Sequence, residues 1–202
     1  MADLGWQSAL GGRALDEASI GVFETDRRTM IDVRILPSGA RGKAAIAKAL
    51  GFDLPTEPRT STATNQVTAL WLSIDQWLVV APHEKGEAIL KALVKAAAGG
   101  KAVVTDLSDA RTVIRLEGNG ARQTVMKGGA ADLLAADFIV GSVRRLNFAG
   151  IGAMVHYCSD QPDVLDLYVF RSFADYAIRW LEVASRSGAA ITLFGPSPPP
   201  PS

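Results

Sequence analysis

Few residues in this sequence could do chemistry, and their spacing limits what each could do. The stretch VIRLEGNGARQTVMKGG, residues 113–129, runs an apolar segment into glycines and then into a predicted short helix, the order found where backbone N–H groups cradle phosphate. A dinucleotide fingerprint requires G-x-G-x-x-G between strand and helix, with an acid about 20 residues on. Here Gly118-Asn119-Gly120 is followed by Ala121-Arg122-Gln123, so the third glycine is missing. A P-loop requires Gly-Lys-Ser/Thr, and Lys127 is followed by Gly128. The stretch reads instead as a strand, a short helix capped by Asn119, and a stop at Gly128 in the left-handed conformation.

The two histidines are His83 and His156, and the single cysteine is Cys158. Spaced two apart, His156 and Cys158 lie on one side of a strand. A nucleophilic pair needs side chains that face each other and a third group to orient the base. A metal site needs further ligands, which the neighbouring sequence does not offer at usable spacing. The acids Asp106, Asp109, Asp132, Asp137, Asp160, Asp163 and Asp166 are scattered and form no evident catalytic pair. G-x-S-x-G, H-E-x-x-H and Ser-x-x-Lys motifs do not occur. No catalytic, cofactor-binding or metal-ligating residue is therefore assigned on this chain. Trp71 and Trp77 flank a hairpin, and Arg111, Arg115, Arg144, Arg145 and Arg171 recur at strand ends. Trp and Arg are enriched as interface anchors, so packing and a partner surface are the two readings of this pattern.

The 202 residues suffice for one sizeable core or two halves of about 100 residues each. Lys plus Arg (21) equals Asp plus Glu (21), which argues against a nucleic-acid binder and leaves no charge repulsion to oppose association. One cysteine excludes a disulfide framework. No signal-peptide pattern and no run of 18 apolar residues is read, so a cytoplasmic location, away from membranes, is expected.

The elements that would position these residues follow from periodicity. Residues 30–36 form a strand, and 40–52 a helix with Ala45, Ile46, Ala49 and Leu50 on one face and Gly51 just past its end. Residues 53–66 read as a loop. Residues 69–82 give two strands around Ser73–Gln76, 83–100 a helix and 101–108 a strand. The order then repeats: strand 110–118, the short helix, a hairpin over 142–158 turning at Ala149-Gly150, an additional strand at 164–170, helix 172–188 and a closing strand at 189–195. Ser172 is the expected N-cap of that last helix. The fold class is α+β, with tandem ferredoxin-like βαββαβ units. The division is a 1–29 N-terminal arm, a 30–108 first half, a 109–195 second half and a Pro-rich 196–202 tail without a core.

One set of residues resembles a known family. Asp106, Ser108, Arg111 and Thr112 stand before an apolar strand, followed by Gly118, Ala121-Arg122, Lys127-Gly128 and Asp132-Leu133. Arg171-Ser172-Phe173-Ala174 and Trp180-Leu181 follow later, and Trp71-Leu72, Asp75 and Trp77-Leu78 precede them. Over roughly residues 66–185 this pattern is similar to the sarcosine oxidase gamma subunit family. The resemblance implies a fold like the folate-binding domain of aminomethyltransferase (the glycine cleavage T-protein). It also implies a non-catalytic subunit that packs mainly on an alpha subunit, in an assembly with beta and delta subunits. That assembly demethylates sarcosine to glycine, with FAD, FMN, NAD and tetrahydrofolate on the partners and no cofactor on this chain. The family often has Cys-Pro where this chain has Gly129-Ala130. A similar small subunit serves N-methylglutamate dehydrogenase, and a stand-alone folate-binding or aminomethyltransferase-like protein is the remaining alternative.

Overall fold

The computed structural model describes residues 5–17, 20–37, 40–64 and 66–186. The expected strand at 189–195 and the tail at 196–202 lie outside the described residues. The elements in chain order are β1 (Ala14–Glu17), β2 (Ile20–Glu24), β3 (Arg28–Ile35), α1 (Ala40–Leu50) and β4 (Ser61–Thr64). β5 (Val67–Ser73), β6 (Gln76–Pro82), α2 (His83–Ala97) and β7 (Ala102–Asp106) follow. The chain continues through β8 (Arg111–Glu117), α3 (Ala121–Met126), β9 (Val143–Phe148), β10 (Ile151–Asp160) and β11 (Asp163–Phe170) to α4 (Ala174–Ala184).

Two antiparallel sheets form, in the orders β4-β5-β6-β3-β7 and β1-β2-β8-β11-β10-β9. Without the short β4, the first sheet has the strand order of a βαββαβ unit, with α1 and α2 as its two crossover helices. The second carries the expected additional strand, β11, between β8 and β10. The edge beside β8 is taken by β2, which pairs with it from Gly21↔Glu117 to Glu24↔Ile114.

Side-chain alternation sorts the core into three layers. Ile31, Val33, Trp77 and Val79 face α1 and α2, where they meet Ile46 and Leu93. Ile114, Leu116, Leu165, Leu167 and Val169 face α3 and α4, where they meet Val125, Ala177, Ile178 and Leu181. The intervening positions turn inward between the sheets: Met30, Leu70, Leu78 and Val80 pack on Val113, Val143, Met154 and Tyr168. The sheets are thus covered on both faces, which is why Trp77–Ala81 and Leu165–Val169 are unbroken buried runs rather than alternating ones.

Several local expectations are corrected. The loop read over 53–66 contains β4, whose Ser-Thr-Ala-Thr sequence is too short and polar to show a period. Residues 14–17 and 20–24, read as part of an arm, are antiparallel strands of the second sheet. Neither Asn119 nor Ser172 caps a helix. The N-cap of α3 is Gly120, and α4 follows a 3₁₀ turn at Arg171–Phe173, both without a side-chain cap bond. Gly128 does not adopt a left-handed conformation; a Cβ there would lie 2.5 Å from the Phe148 ring and 3.1 Å from Trp180. Its smallness lets the end of α3 pack on that aromatic pair. Among the described residues no helix is long and apolar enough to cross a membrane.

Candidate functional site between the sheets

The Asp106-x-Ser108-x-x-Arg111-Thr112 segment carries the chain from the first sheet to the second. Asp106 Oδ1 accepts hydrogen bonds from Ser108 N (2.9 Å) and Ser108 Oγ (2.5 Å), and Ser108 Oγ accepts from Met30 N (3.1 Å). This turn anchors the crossing to β3 before β8 begins. Thr112 Oγ1 then donates to Glu24, whose carboxylate also accepts from Ser8 Oγ and from the Ala9 and Leu10 amides at 3.1 Å. These donors hold the Glu24 carboxyl below its usual range against the opposing effect of burial. The motif is therefore a joint that fixes one sheet, the other sheet and the N-terminal strands to each other.

At one end of the layer between the sheets lies an open cleft of about 1140 Å³. Its inner wall is apolar, with Leu72, Leu78, Val143 and Met154. Asp32 and Gln76 line it from the first sheet, with Gln76 Nε2 donating to Asp32 Oδ2 at 2.6 Å. Arg111 and Arg145 line it from the second. Arg111 lies over the Phe170 ring, 4.5 Å from its centroid. Burial and the like charge of Arg145 lower its pKa, and Asp32 opposes them. Among the described residues the lining holds no histidine, cysteine, serine or lysine, and its acids are Asp32, Asp132 and Asp137, of which Asp32 is held by Gln76 and Asp137 by Arg144. Of its four arginines, Arg59, Arg111, Arg144 and Arg145, Arg111 and Arg145 can hold an anionic group beside an apolar body.

The opposite end of the same layer is closed and polar. Arg115 on β8 donates to both oxygens of Asp166 on β11, at 2.7 and 3.0 Å. These bonds raise the Arg115 pKa further. Asp166 stands directly across from His156 on β10. His156 meets Cys158 Sγ at Nδ1 (3.3 Å) and Ser61 Oγ at Nε2 (2.9 Å). Burial lowers the His156 pKa and pushes the Cys158 thiol up to about 12, so the resting thiol is protonated and a poor nucleophile. The sequence places His156 and Cys158 on one side of a strand, and they are in contact there. The third group, Asp166, is supplied by the neighbouring strand, a juxtaposition set by sheet register rather than by linear spacing.

Other sequence candidates serve the fold. Gly118, at φ 122°, donates its N–H to the Asp163 carbonyl (2.9 Å). Arg122 Nε and Tyr157 OH both donate to the Asp163 carboxylate, at 2.8 and 2.5 Å. The glycine turn is thus tied to an internal acid. Arg144 pairs with Asp137 (3.1 Å) and covers Phe138, which stacks on Tyr157, which Arg122 covers from its other side. Lys127 Nζ donates to the Ala184 carbonyl at 2.5 Å and closes the C-terminus of α4. Arg171 donates to the Gln7 carbonyl and lies over Trp6. Trp77 is buried and donates to the Pro55 carbonyl at 2.8 Å. His83 is an exposed partner of Arg27. Gly129 is constrained by packing: a Cβ there would lie 2.8 Å from the Asn147 carbonyl oxygen.

The sarcosine oxidase gamma subunit family matches residues 38–187. The chain belongs to that family. The match begins after β3 and ends just past α4, so it contains Arg111 and Arg145 of the cleft and Arg115, His156, Cys158 and Asp166 of the other end, but not Asp32. The chain is 32% identical over 166 residues to sarcosine oxidase subunit gamma of Arthrobacter sp., covering 82% of this chain and 79% of that one. It is 31% identical over 156 residues to the same subunit of Corynebacterium sp. (strain P-1), covering 76% and 73%. Among solved structures it is similar to a chain of heterotetrameric sarcosine oxidase from Corynebacterium sp. U-96 in complex with pyrrole 2-carboxylate. The TM-score is 0.81 at 25% identity, over 92% of this chain and 97% of that one. Glycine cleavage aminomethyltransferase T from Bartonella henselae shares the fold, with a TM-score of 0.60 at 16% identity over 82% of this chain and 46% of that one. The α+β, aminomethyltransferase-like architecture expected from the sequence is the one observed.

Proposed function

We propose that this chain is the gamma subunit of a heterotetrameric sarcosine oxidase and serves it as a non-catalytic stabilising subunit. The observation that carries this reading is the likeness to a chain of the Corynebacterium heterotetramer over 97% of that chain. In this role the chain packs mainly on the alpha subunit. The partner subunits hold FAD, FMN, NAD and tetrahydrofolate, and oxidise sarcosine to glycine with transfer of the one-carbon unit to the folate.

Two features of the chain support a docking role. The segment after α3 exposes Leu134 (49%), Ile139 (65%) and Val140 (46%) beside the cleft. Around the start of α4, Phe170, Phe173 and Tyr176 are all more than 40% exposed. Apolar groups grouped in this way mark surfaces that a partner covers. Meanwhile the family's signature residues are used internally, as joints, caps and packing contacts.

The test is co-expression with the large flavoprotein subunits, followed by native mass spectrometry and a sarcosine oxidation assay. One copy of this chain in the assembly, and an oxidase that loses stability without it but keeps its flavin chemistry, is the expected result. A flavin-free chain that never joins such a complex overturns the proposal. Turnover of N-methylglutamate in place of sarcosine would move the chain to the sister dehydrogenase.

A further inference from the structure

The closed end of the inter-sheet layer carries an inference independent of the subunit role. We propose that His156 Nδ1, Cys158 Sγ and one carboxylate oxygen of Asp166 form a binding site for one zinc-class divalent cation.

The donor atoms of these three residues lie within 4.8 Å of one another. With Zn–S about 2.3 Å and Zn–N about 2.0–2.1 Å, a tetrahedral sulfur–nitrogen edge is about 3.6 Å. The sulfur and Nδ1 are already 3.3 Å apart. Drawing the carboxylate onto the same ion shortens separations of at most 4.8 Å toward tetrahedral edges of about 3.5 Å. The β10–β11 register shifts between Tyr157 and Ser159, so Cys158 lies at an irregularity of the kind that re-aims a side chain within a sheet.

The histidine is held in the tautomer a metal requires. Ser61 Oγ has one proton and donates it to the Gly141 carbonyl at 2.9 Å. Its 2.9 Å contact with His156 Nε2 therefore has the ring nitrogen as donor. With Nε2 assigned as that donor, Nδ1 keeps its lone pair 3.3 Å from Cys158 Sγ, while the thiol proton is directed to the His156 carbonyl oxygen at 3.6 Å. This is the arrangement by which metal-binding histidines are oriented from behind. Arg115 does the same for Asp166, engaging one lone pair on each oxygen and leaving others free. The charges also match. The cation and Arg115 are balanced by Asp166, the Cys158 thiolate and Glu117, whose carboxylate lies 3.9 Å from Arg115. As the S–Zn bond forms, the thiol proton passes to solvent. Sulfur, imidazole and carboxylate together select zinc over calcium or magnesium, which take oxygen donors. Water completes the fourth position.

The experiment uses the full chain, stripped with chelator and titrated with Zn²⁺ against a competing chelator. Co²⁺ serves as the spectroscopic probe, and circular dichroism confirms the fold of each variant. One equivalent of zinc, release of about one proton per zinc, and a thiolate-to-cobalt charge-transfer band are expected. Cys158→Ser and His156→Gln should abolish the band. Ser61→Ala, which touches no ligand atom, should weaken zinc binding by roughly tenfold. Failure of the wild-type chain to take up one equivalent overturns the proposal, as does a Cys158→Ser chain that binds as tightly as wild type. The same comparison on the assembled oxidase reads metal content. One zinc fewer per complex with Cys158→Ser supports the site, and equal content overturns it.

Discussion

The two ends of the layer between the sheets are built from the same strands and have opposite character. β8 contributes Arg111 to one end and Arg115 to the other, four residues apart on the same face. Arg115 is locked to Asp166 by two hydrogen bonds. Arg111 faces an open cleft, with the like-charged Arg145 near it and Asp32, the acid that opposes the lowering of its pKa, already held by Gln76. One guanidinium is spent on holding the fold, and the other is left to meet something else. Net charge and residue type do not separate them; the difference is the residue standing opposite on β11, Asp166 in one case and Phe170 in the other.

That contrast can be broken by substitution. Asp166→Ala leaves Arg115 partly buried without its carboxylate and should cost about 3 kcal/mol or more. A leucine/methionine replacement of both partners should recover most of that loss, because the pair is stabilising only relative to its broken form. Urea denaturation of the three chains checks this. Leu78→Ala, in the fully buried middle of the layer, should cost about 2–3 kcal/mol, as large-to-small core changes do. Arg111→Leu should change stability by less than about 1 kcal/mol in either direction, since no bonded partner is orphaned. A loss matching that of Asp166→Ala would erase the proposed distinction between the ends. The smallest effect concerns the N-terminal joint. The folded-state pKa of Glu24 is depressed, so its contribution is present above its ordinary value of about 4.3 and is lost as pH falls through the folded value. A Glu24→Gln chain should show a shallower decline in melting temperature below about pH 4.5 than wild type. Parallel curves would show that the carboxylate does not hold the N-terminal strands.

The sequence was most legible where structure is local. The helical stripes of α1, α2 and α4 show the 3.6 period, and β6 and β11 show as apolar runs. The order of elements was enough to reach the ferredoxin-like class. Pairing over long separations was not legible. Nothing in Ile20–Glu24 states that it will lie beside β8, some 90 residues later, because the signal is in the partner strand's open edge. The same holds for the candidate site. His156 and Cys158 could be placed together from their spacing alone, whereas Asp166 and Ser61 arrive through cross-strand register and through a strand too short to recognise. Gly128 was misread for a related reason: its smallness answers to Phe148 and Trp180, residues far off in sequence.

One backbone feature has a consequence for the chain before it meets any partner. β4 and β9 are outermost in their sheets, and the segments entering them are joined by the Thr60↔Ser142 bridge and by Val143 N donating to the Arg59 carbonyl at 2.7 Å. Two of the four sheet margins among the described residues are thereby turned toward each other. Unpaired strand margins are templates for cross-strand aggregation. Of the other two, β1 is only four residues long and carries acids. Before it meets a partner the chain therefore offers β1 and the five-residue β7 as its open margins among the described residues, while the other two are closed by hydrogen bonds at its own seam.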